Sequence, residues 1–527
     1  MSIKILITDP LSDRGVDLLK ESGFEILLKP NIASDELQTF ISEIDGWIIR
    51  SGTKITKELI KDAKQLQIIG RAGVGTDNID INCATSNGVI VMNVPDGNTV
   101  SAAEHTMAMM LSLSRNIQLG HMGLIKGDWD RHKLVGNELR GKKLGVVGLG
   151  KIGREVIKRA LSYEMKILGY DPFVSQDQFD ENEIKVMSID ELTKHSDYIT
   201  LHVPMNDSTR NLFDIKRLEL MKKNAKIINV ARGGIINEND LALALNKDII
   251  SGAAIDVFVN EPLSKESPLI SAKNILLTPH LGASTHEAKE GVSLSICRQM
   301  VEYFVNEKLI NVLNIPITDS ALIKKMMPYY KLAEKMGSIL FQLSQGPIKE
   351  LEVTCYGKAS DSKSIVLVLL KSILSNMIDE RVNMINVNHI AKDRNIIFSH
   401  TYKSEDVPFY SLIKCNIITD QSNIELSGSV FDENHIRIVN IMGSDIDLNP
   451  DGPMLFVINK DIPGVVGNIG SVLGQYNVNI AEYLLSRIKN SDDAYGIIKL
   501  DSMVSDAIIE KLKSLDEVTD VRQIDIE

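Results

Sequence analysis

Three polar residues stand where acid–base chemistry on a small organic acid would need them. Arg232 lies in the stretch NVARGG (229–234), Glu261 in NEP (260–262) and His280 in PHLGAST (279–285). An arginine offers a planar fork that matches a carboxylate in two hydrogen bonds. A histidine gives and takes a proton near neutral pH, and a carboxylate beside it favours the charged ring and orients it. Such a trio would anchor a carboxylate, protonate a carbonyl oxygen and, in reverse, deprotonate an alcohol. Taken singly, each is ordinary: Arg-Gly-Gly is also a plain loop, Glu-Pro also starts turns, and a lone histidine is more often structural.

A second constellation gives the trio a reaction partner. Gly148, Gly150 and Gly153 form GxGxxG around Lys151 and Ile152, directly after the apolar run 143–147. After a strand and before a helix, the first glycine permits a tight turn. The second lets the backbone approach a pyrophosphate at the helix N-terminus, and the third lets the helix pack on the strand. Asp171 ends the next apolar run, 18 residues beyond Gly153. Its carboxylate can accept hydrogen bonds from both ribose hydroxyls of a dinucleotide. The residues after it, Pro172-Phe173-Val174, include no arginine for a 2′-phosphate, so the pattern favours NAD over NADP.

These residues need elements to hold them. Short apolar runs at 3–8, 46–49, 67–69 and 89–93 alternate with helical patterns at 12–22 and 34–43, which implies a parallel sheet covered by helices. A long helical run at 98–117 leads into a second series, with strands expected at 143–147, 166–170, 198–201, 226–229, 252–255 and 275–278. Six such strands make a complete doubly wound sheet, whose ligands bind beyond the carboxyl ends of the strands, where Arg232, Glu261 and His280 fall. The helical run 285–306 can carry the chain back to the first lobe. The expected layout is therefore a discontinuous lobe (1–97 and 281–313) around a doubly wound lobe (98–280), with a cleft between. Residues 313–320, containing Pro316, read as a linker. Residues 321–450 mix one helix-like stretch with short β-rich runs and form an α+β region, closed by the break NPDGP (449–453). Residues 452–527 read βαββαβ, the ferredoxin-like arrangement.

Composition bounds the rest. The 527 residues carry a net charge of −12, which argues against nucleic acid as the main partner. Cys83, Cys297, Cys355 and Cys415 form no CxxC pair, so neither a disulfide framework nor a cysteine-based metal site is expected. This fits a reducing, cytoplasmic compartment. MSIKILITDP reads as a first strand, not a signal peptide, and apolar runs such as 365–370 are too short to span a bilayer.

NVARGG, NEP and PHLGAST, behind GxGxxG, resemble the signatures of the D-2-hydroxyacid dehydrogenases, and RAGVGTDNID (71–80) looks like their substrate loop. The resemblance implies catalytic roles for Arg232, Glu261 and His280. It implies cofactor contacts from His202 and Pro204 (where His-Val-Pro replaces a frequent His-Thr-Pro), Ala231, Asp256 at the nicotinamide amide, His280, Gly282 and Ala283. Substrate contacts would come from Arg50, Arg71, Gly73, Val74, Asn98, Arg232 and His280. RSGTKIT, RAGVGTDNID and GNTVSAAEH resemble the long-form phosphoglycerate dehydrogenases within that family. There the cations Arg50, Arg71, Arg131 and Lys133 would meet a phosphate, the last two in the active site of an adjacent subunit. The substrate pair would be 3-phosphoglycerate and 3-phosphohydroxypyruvate, and the assembly a homo-oligomer, a tetramer. DIPGVVG (461–467) and YNVNIA (476–481) resemble the ACT domain, an amino-acid sensor, with Asn459, Asp461 and Asn479 as contacts for an L-serine effector. Two other readings stay open at this point: a glyoxylate or hydroxypyruvate reductase, for which Arg50 and Arg131 have no task, and a nucleotide-sensing protein without turnover, against which the intact trio speaks.

Overall fold

The computed structural model describes residues 2–181, 183–315, 320–378, 380–405, 409–432, 435–487 and 491–526. Its first sheet is wholly parallel, in the order Glu25–Leu28, Lys4–Ile7, Gly46–Ile49, Ile68–Arg71, Ile90–Met92. The central strands are continuous Ile-rich runs because helices cover both faces. The edge strand Glu25–Leu28 was not expected; it is only partly buried, and Glu25-Ile-Leu-Leu carries no clear alternation. The helix His286–Asn306 returns to this sheet and places Val292, Ile296, Cys297 and Met300 in its core.

The second sheet has seven parallel strands: Ile275–Leu277, Gly252–Ile255, Lys226–Asn229, Tyr198–Leu201, Lys143–Val147, Lys166–Tyr170 and Ile184–Val186. From the far edge that is 3-2-1-4-5-6-7, the dinucleotide-binding order extended by one strand. The strand missed in the sequence is the edge Ile184–Val186, whose exposed Lys185 interrupts the apolar run. The expected helix over 98–117 stops at Ser114, and Asn116, at φ +52°, turns the chain into a separate helix, Ile117–Ile125. The helix Thr99–Ser114 packs Ala103, Met107, Met110 and Leu113 against Leu144 and Val146 of this second sheet.

Residues 316–319 of the expected linker lie outside the described residues. Asn314, just before them, is tied to the first lobe, accepting from Val91 N at 2.9 Å and donating to Val89 O at 2.9 Å. The region beyond is more helical than its sequence suggested. Ser320–Leu343 and Ser362–Met377 back a six-stranded sheet, and the apolar run 365–370 is a stretch of the second helix buried on all its sides. The tail forms a four-stranded antiparallel sheet in the order Ile480–Arg487, Asp493–Leu500, Gly452–Lys460, Val518–Ile526, with Val465–Gln475 and Asp506–Lys513 on one face. Its other face sends Met454, Phe456, Ile497 and Ile524 into the core of the six-stranded region, so the last two sheets share one hydrophobic interior.

Candidate active site

Arg232, Glu261 and His280 come together at one cleft. Arg232 follows the strand Lys226–Asn229, and His280 follows Ile275–Leu277, so both sit beyond strand carboxyl ends. Arg50 directly follows Gly46–Ile49 and Arg71 ends Ile68–Arg71 in the facing sheet. These four, with Glu261, Gly73, Val74, Asn98 and Ala283, line a cavity of about 650 Å³.

Within it, His280 Nδ1 and Glu261 Oε2 are 2.7 Å apart. Glu261 Oε1 accepts from Phe258 N at 3.0 Å, which fixes the carboxylate. The hydrogen bond to Glu261 raises the imidazole pKa above its ordinary value, ahead of the opposing effect of burial. Burial pushes the Glu261 carboxyl up, but the bonds from His280 and Phe258 outweigh it and hold the group below its usual range. Glu261 thus keeps Nδ1 occupied and leaves Nε2 as the ring atom for a substrate.

The arginines make the cleft cationic. Burial, then Arg232 and Arg50, lower the Arg71 pKa to about 10, still charged at neutral pH. Arg71 Nε and Asn98 Oδ1 are buried with no hydrogen-bond partner among the described residues, which marks unspent polar capacity beside the cavity. Two acids escaped the sequence reading. Asp77 accepts from Arg232 Nε at 3.1 Å, and Asp9 accepts from Arg50 N at 2.7 Å and Thr53 N at 3.1 Å. Asp77 stood inside the quoted loop RAGVGTDNID, but its partner is 155 residues away.

The dinucleotide turn fits its expected load. Gly148 has φ +98°, and a Cβ there would lie 2.5 Å from His202 O. A Cβ on Gly153 would lie 2.1 Å from Gly148 O, so helix and strand touch, whereas Gly150 faces open space where a pyrophosphate can approach. Asp171 accepts from Leu149 N and Phe173 N, both at 2.9 Å, which binds the strand end to the turn. Lys151 pairs with Asp96. Ile152 packs against the core of the second lobe. His202, beside Thr200 Oγ1 at 3.0 Å, is pushed down to about 3 by desolvation and is a neutral ring. Ala231 is held by Asn229, and the exposed Pro204 gives its carbonyl to Thr209.

Three groups of expected contacts lie apart from this chain's cleft or from one another. Asp256 has no exposed surface; its carboxylate accepts from Thr278 Oγ1 (2.6 Å), Leu281 N (2.8 Å) and Gly282 N (2.9 Å), and His105 Nε2 lies 3.2 Å from its Oδ1. It holds the His280 loop; it does not face the cleft. Arg131 and Lys133 lie on an exposed turn, Arg131–Leu134, outside this chain's cleft, with Lys133 paired to Asp130 at 2.6 Å. Finally, Asn459, Asp461 and Asn479 are not together in one chain. In the strand register Asn459 faces Ala494 and Ile480 faces Leu500, so Asn479 lies at the other end of the sheet, about 20 Å away at ~3.3 Å per residue. Asp461 is paired with Arg487 at 2.8 Å, Asn479 donates to Asp501 at 2.8 Å, and Asn459 is 2% exposed.

Comparison with known proteins names the lineage. Residues 107–282 match the family model of the D-isomer specific 2-hydroxyacid dehydrogenase NAD binding domain, and residues 325–442 that of the D-3-phosphoglycerate dehydrogenase intervening domain. The D-3-phosphoglycerate dehydrogenase of Methanocaldococcus jannaschii is 37% identical over 99% of this chain and 100% of its own length. The chain belongs to the D-3-phosphoglycerate dehydrogenase family. A second member of that family, from Synechocystis sp., is 37% identical over 98% of this chain and 94% of its own. Among solved structures, the NAD-dependent formate dehydrogenase of Staphylococcus aureus in complex with NAD aligns with a TM-score of 0.54 at 30% identity, over 59% of this chain and 99% of that one. The family's cofactor, NAD, agrees with the glycine turn and Asp171 described above. Among the described residues no helix is long and apolar enough to cross a membrane.

Proposed function

We infer that this chain oxidises D-3-phosphoglycerate to 3-phosphohydroxypyruvate with NAD, the entry step of L-serine synthesis. The observation that carries this reading is the convergence of Arg50, Arg71 and Arg232 on the cavity that holds the His280–Glu261 pair. A substrate with a carboxylate at one end and a phosphate at the other uses all three cations. Arg232 anchors the carboxylate, while Arg71 and Arg50 face the phosphate end. Gly73, Val74 and Asn98 complete the wall. His280 takes the hydroxyl proton during oxidation and returns it during reduction, and Glu261 stabilises the charged ring in between. NAD, when bound, accepts the hydride from the carbinol carbon.

The supporting frame is read as four domains: substrate binding (1–97 and 281–313), NAD binding (98–280), intervening (321–450) and ACT (452–527). The assembly is a homo-oligomer, a tetramer, in the cytoplasm. Ile117, Met122, Leu124 and Ile125 on one short helix are exposed, and Trp129 beside them is 79% exposed. A patch of that kind fits a second copy, which would bring its Arg131 and Lys133 toward the neighbouring cleft. L-Serine is the effector, bound between two ACT domains, because only a second tail can supply Asn479 opposite Asp461.

The test is kinetic. His280→Ala should lower turnover about 10²–10⁴-fold with NAD binding retained, and Arg232→Ala should act mainly on KM. Near-normal turnover of the His280→Ala enzyme would refute the assignment.

A further inference from the structure

His280 occupies a backbone conformation that favours glycine, with φ +53°. A side chain with a Cβ is strained in this region, so neighbouring contacts must hold it. Asp256 supplies them. Its backbone oxygen accepts from His280 N at 2.9 Å, and its carboxylate takes Leu281 N, Gly282 N and Thr278 Oγ1. Three consecutive residues of the catalytic loop hang from this one buried acid.

A buried carboxylate that also orders a loop needs a full set of donors. The remaining donor comes from a helix packed on the same sheet. His105, on the helix Thr99–Ser114, puts Nε2 3.2 Å from Asp256 Oδ1 and 3.4 Å from Thr278 Oγ1. Its side chain is 19% exposed. An ionised carboxylate only accepts, so Nε2 must carry the hydrogen. The same helix face has a consistent orientation. Asn98 heads it in the substrate cavity, Ser101 Oγ meets Thr285 Oγ1 at 2.7 Å, and Met109 Sδ lies 3.4 Å from Thr278 Oγ1. Spacings of three, four and four place Asn98, Ser101, His105 and Met109 in one stripe. That stripe runs from the substrate cavity, past the cap of the returning helix, to the underside of the His280 loop.

We propose that His105 is a positioning residue for His280, donating from Nε2 to Asp256 so that the 278–282 loop keeps the turn that presents the imidazole to the substrate. The proposal rests on the reading of His280 as the acid–base group. His105 is not among the residues lining the cavity; it acts through Asp256.

The test compares three substitutions in the full-length enzyme, with D-3-phosphoglycerate and NAD. Glutamine places its amide nitrogen near the position of Nε2, asparagine nearer that of Nδ1, and leucine offers no donor. His105→Leu and His105→Asn should lose about 10–100-fold in kcat, the size of effect a small misplacement of a reacting group produces. KM and the NADH dissociation constant should stay within about twofold of wild type, consistent with lost orientation in the reacting complex. His105→Gln should recover most of the kcat. A deuterium isotope effect on kcat with C2-deuterated substrate should grow in the leucine and asparagine variants and return towards wild type in the glutamine variant. If the leucine variant does not fold, the asparagine–glutamine contrast decides alone. Equal kcat in all three, or a defect confined to KM or cofactor binding, overturns the proposal. His280→Ala assayed in parallel separates the two claims: activity there defeats the acid–base reading and this proposal with it, whereas an inactive His280→Ala beside a fully active His105→Leu defeats this proposal only.

Discussion

The His280–Glu261 contact sets the pH behaviour of the site. Oxidation needs a neutral imidazole to take the hydroxyl proton, and keto reduction needs the charged ring to give one. The Glu261 hydrogen bond raises the His280 pKa, so the charged form persists to higher pH than for a free imidazole. Reduction should therefore be complete at low pH and fall as pH rises through the raised pKa, while oxidation climbs over the same window. Glu261→Gln removes the largest raising influence. Its oxidation limb should move to lower pH, with lower kcat from the less ordered ring. Rate–pH profiles in both directions check this, and an unmoved limb would mean that Glu261 does not set the ionisation of His280. At this scale the sequence was partly legible. Arg232, Glu261 and His280 announced themselves through neighbours that fit strand ends. Asp77, Asp9 and His105 did not, because their partners lie far along the chain and a long-range pair leaves no periodic trace.

Elements explain which of those residues could meet. Parallel strands end on the same side, so Arg232, His280, Arg50 and Arg71 follow from two sheets whose carboxyl ends face one cavity. The glycine turn works by close approach. Gly153→Val would place a side chain about where Gly148 O already sits, since a Cβ there comes within 2.1 Å of it. NADH affinity, followed by fluorescence, should fall at least tenfold while the first lobe stays folded; unchanged affinity would show that the turn relaxes freely. Long continuous apolar strands were readable, and the tail's alternation gave its βαββαβ order. The edges Glu25–Leu28 and Ile184–Val186 were not, because each is only partly buried and a charged residue, Glu25 or Lys185, interrupts its apolar run. In 321–450 one helix-like stretch was expected, and two long helices are present, Ser320–Leu343 with Pro328 inside it and Ser362–Met377.

At the scale of the molecule, the catalytic lobes are coupled to the rest through backbone contacts. Arg381 donates to Leu66 O at 2.9 Å, and Asn383 donates to Gly88 O at 2.7 Å, just before two strands of the first sheet. The tail shares its core with that same intervening region, so a ligand that orders the tails has a packed route to the substrate lobe. Serine should bind with a stoichiometry tied to paired tails, and Asp461→Ala should weaken both binding and inhibition. Coupling energies of this kind are about 1–3 kcal/mol, or roughly 5–150-fold. Calorimetry beside activity measurements tests it, and no heat at millimolar serine would leave the tail an assembly module. Neither the shared core nor the separation of Asn479 from Asp461 was visible in the sequence, since both are properties of sheet register and packing. Three cations in the cleft select a phosphorylated acid. This selection is tested by measuring NADH formation from D-3-phosphoglycerate and from D-glycerate under identical conditions. The arrangement of Arg50, Arg71 and Arg232 predicts a kcat/KM at least a hundredfold higher for the phosphorylated substrate; equal or faster oxidation of D-glycerate would contradict it.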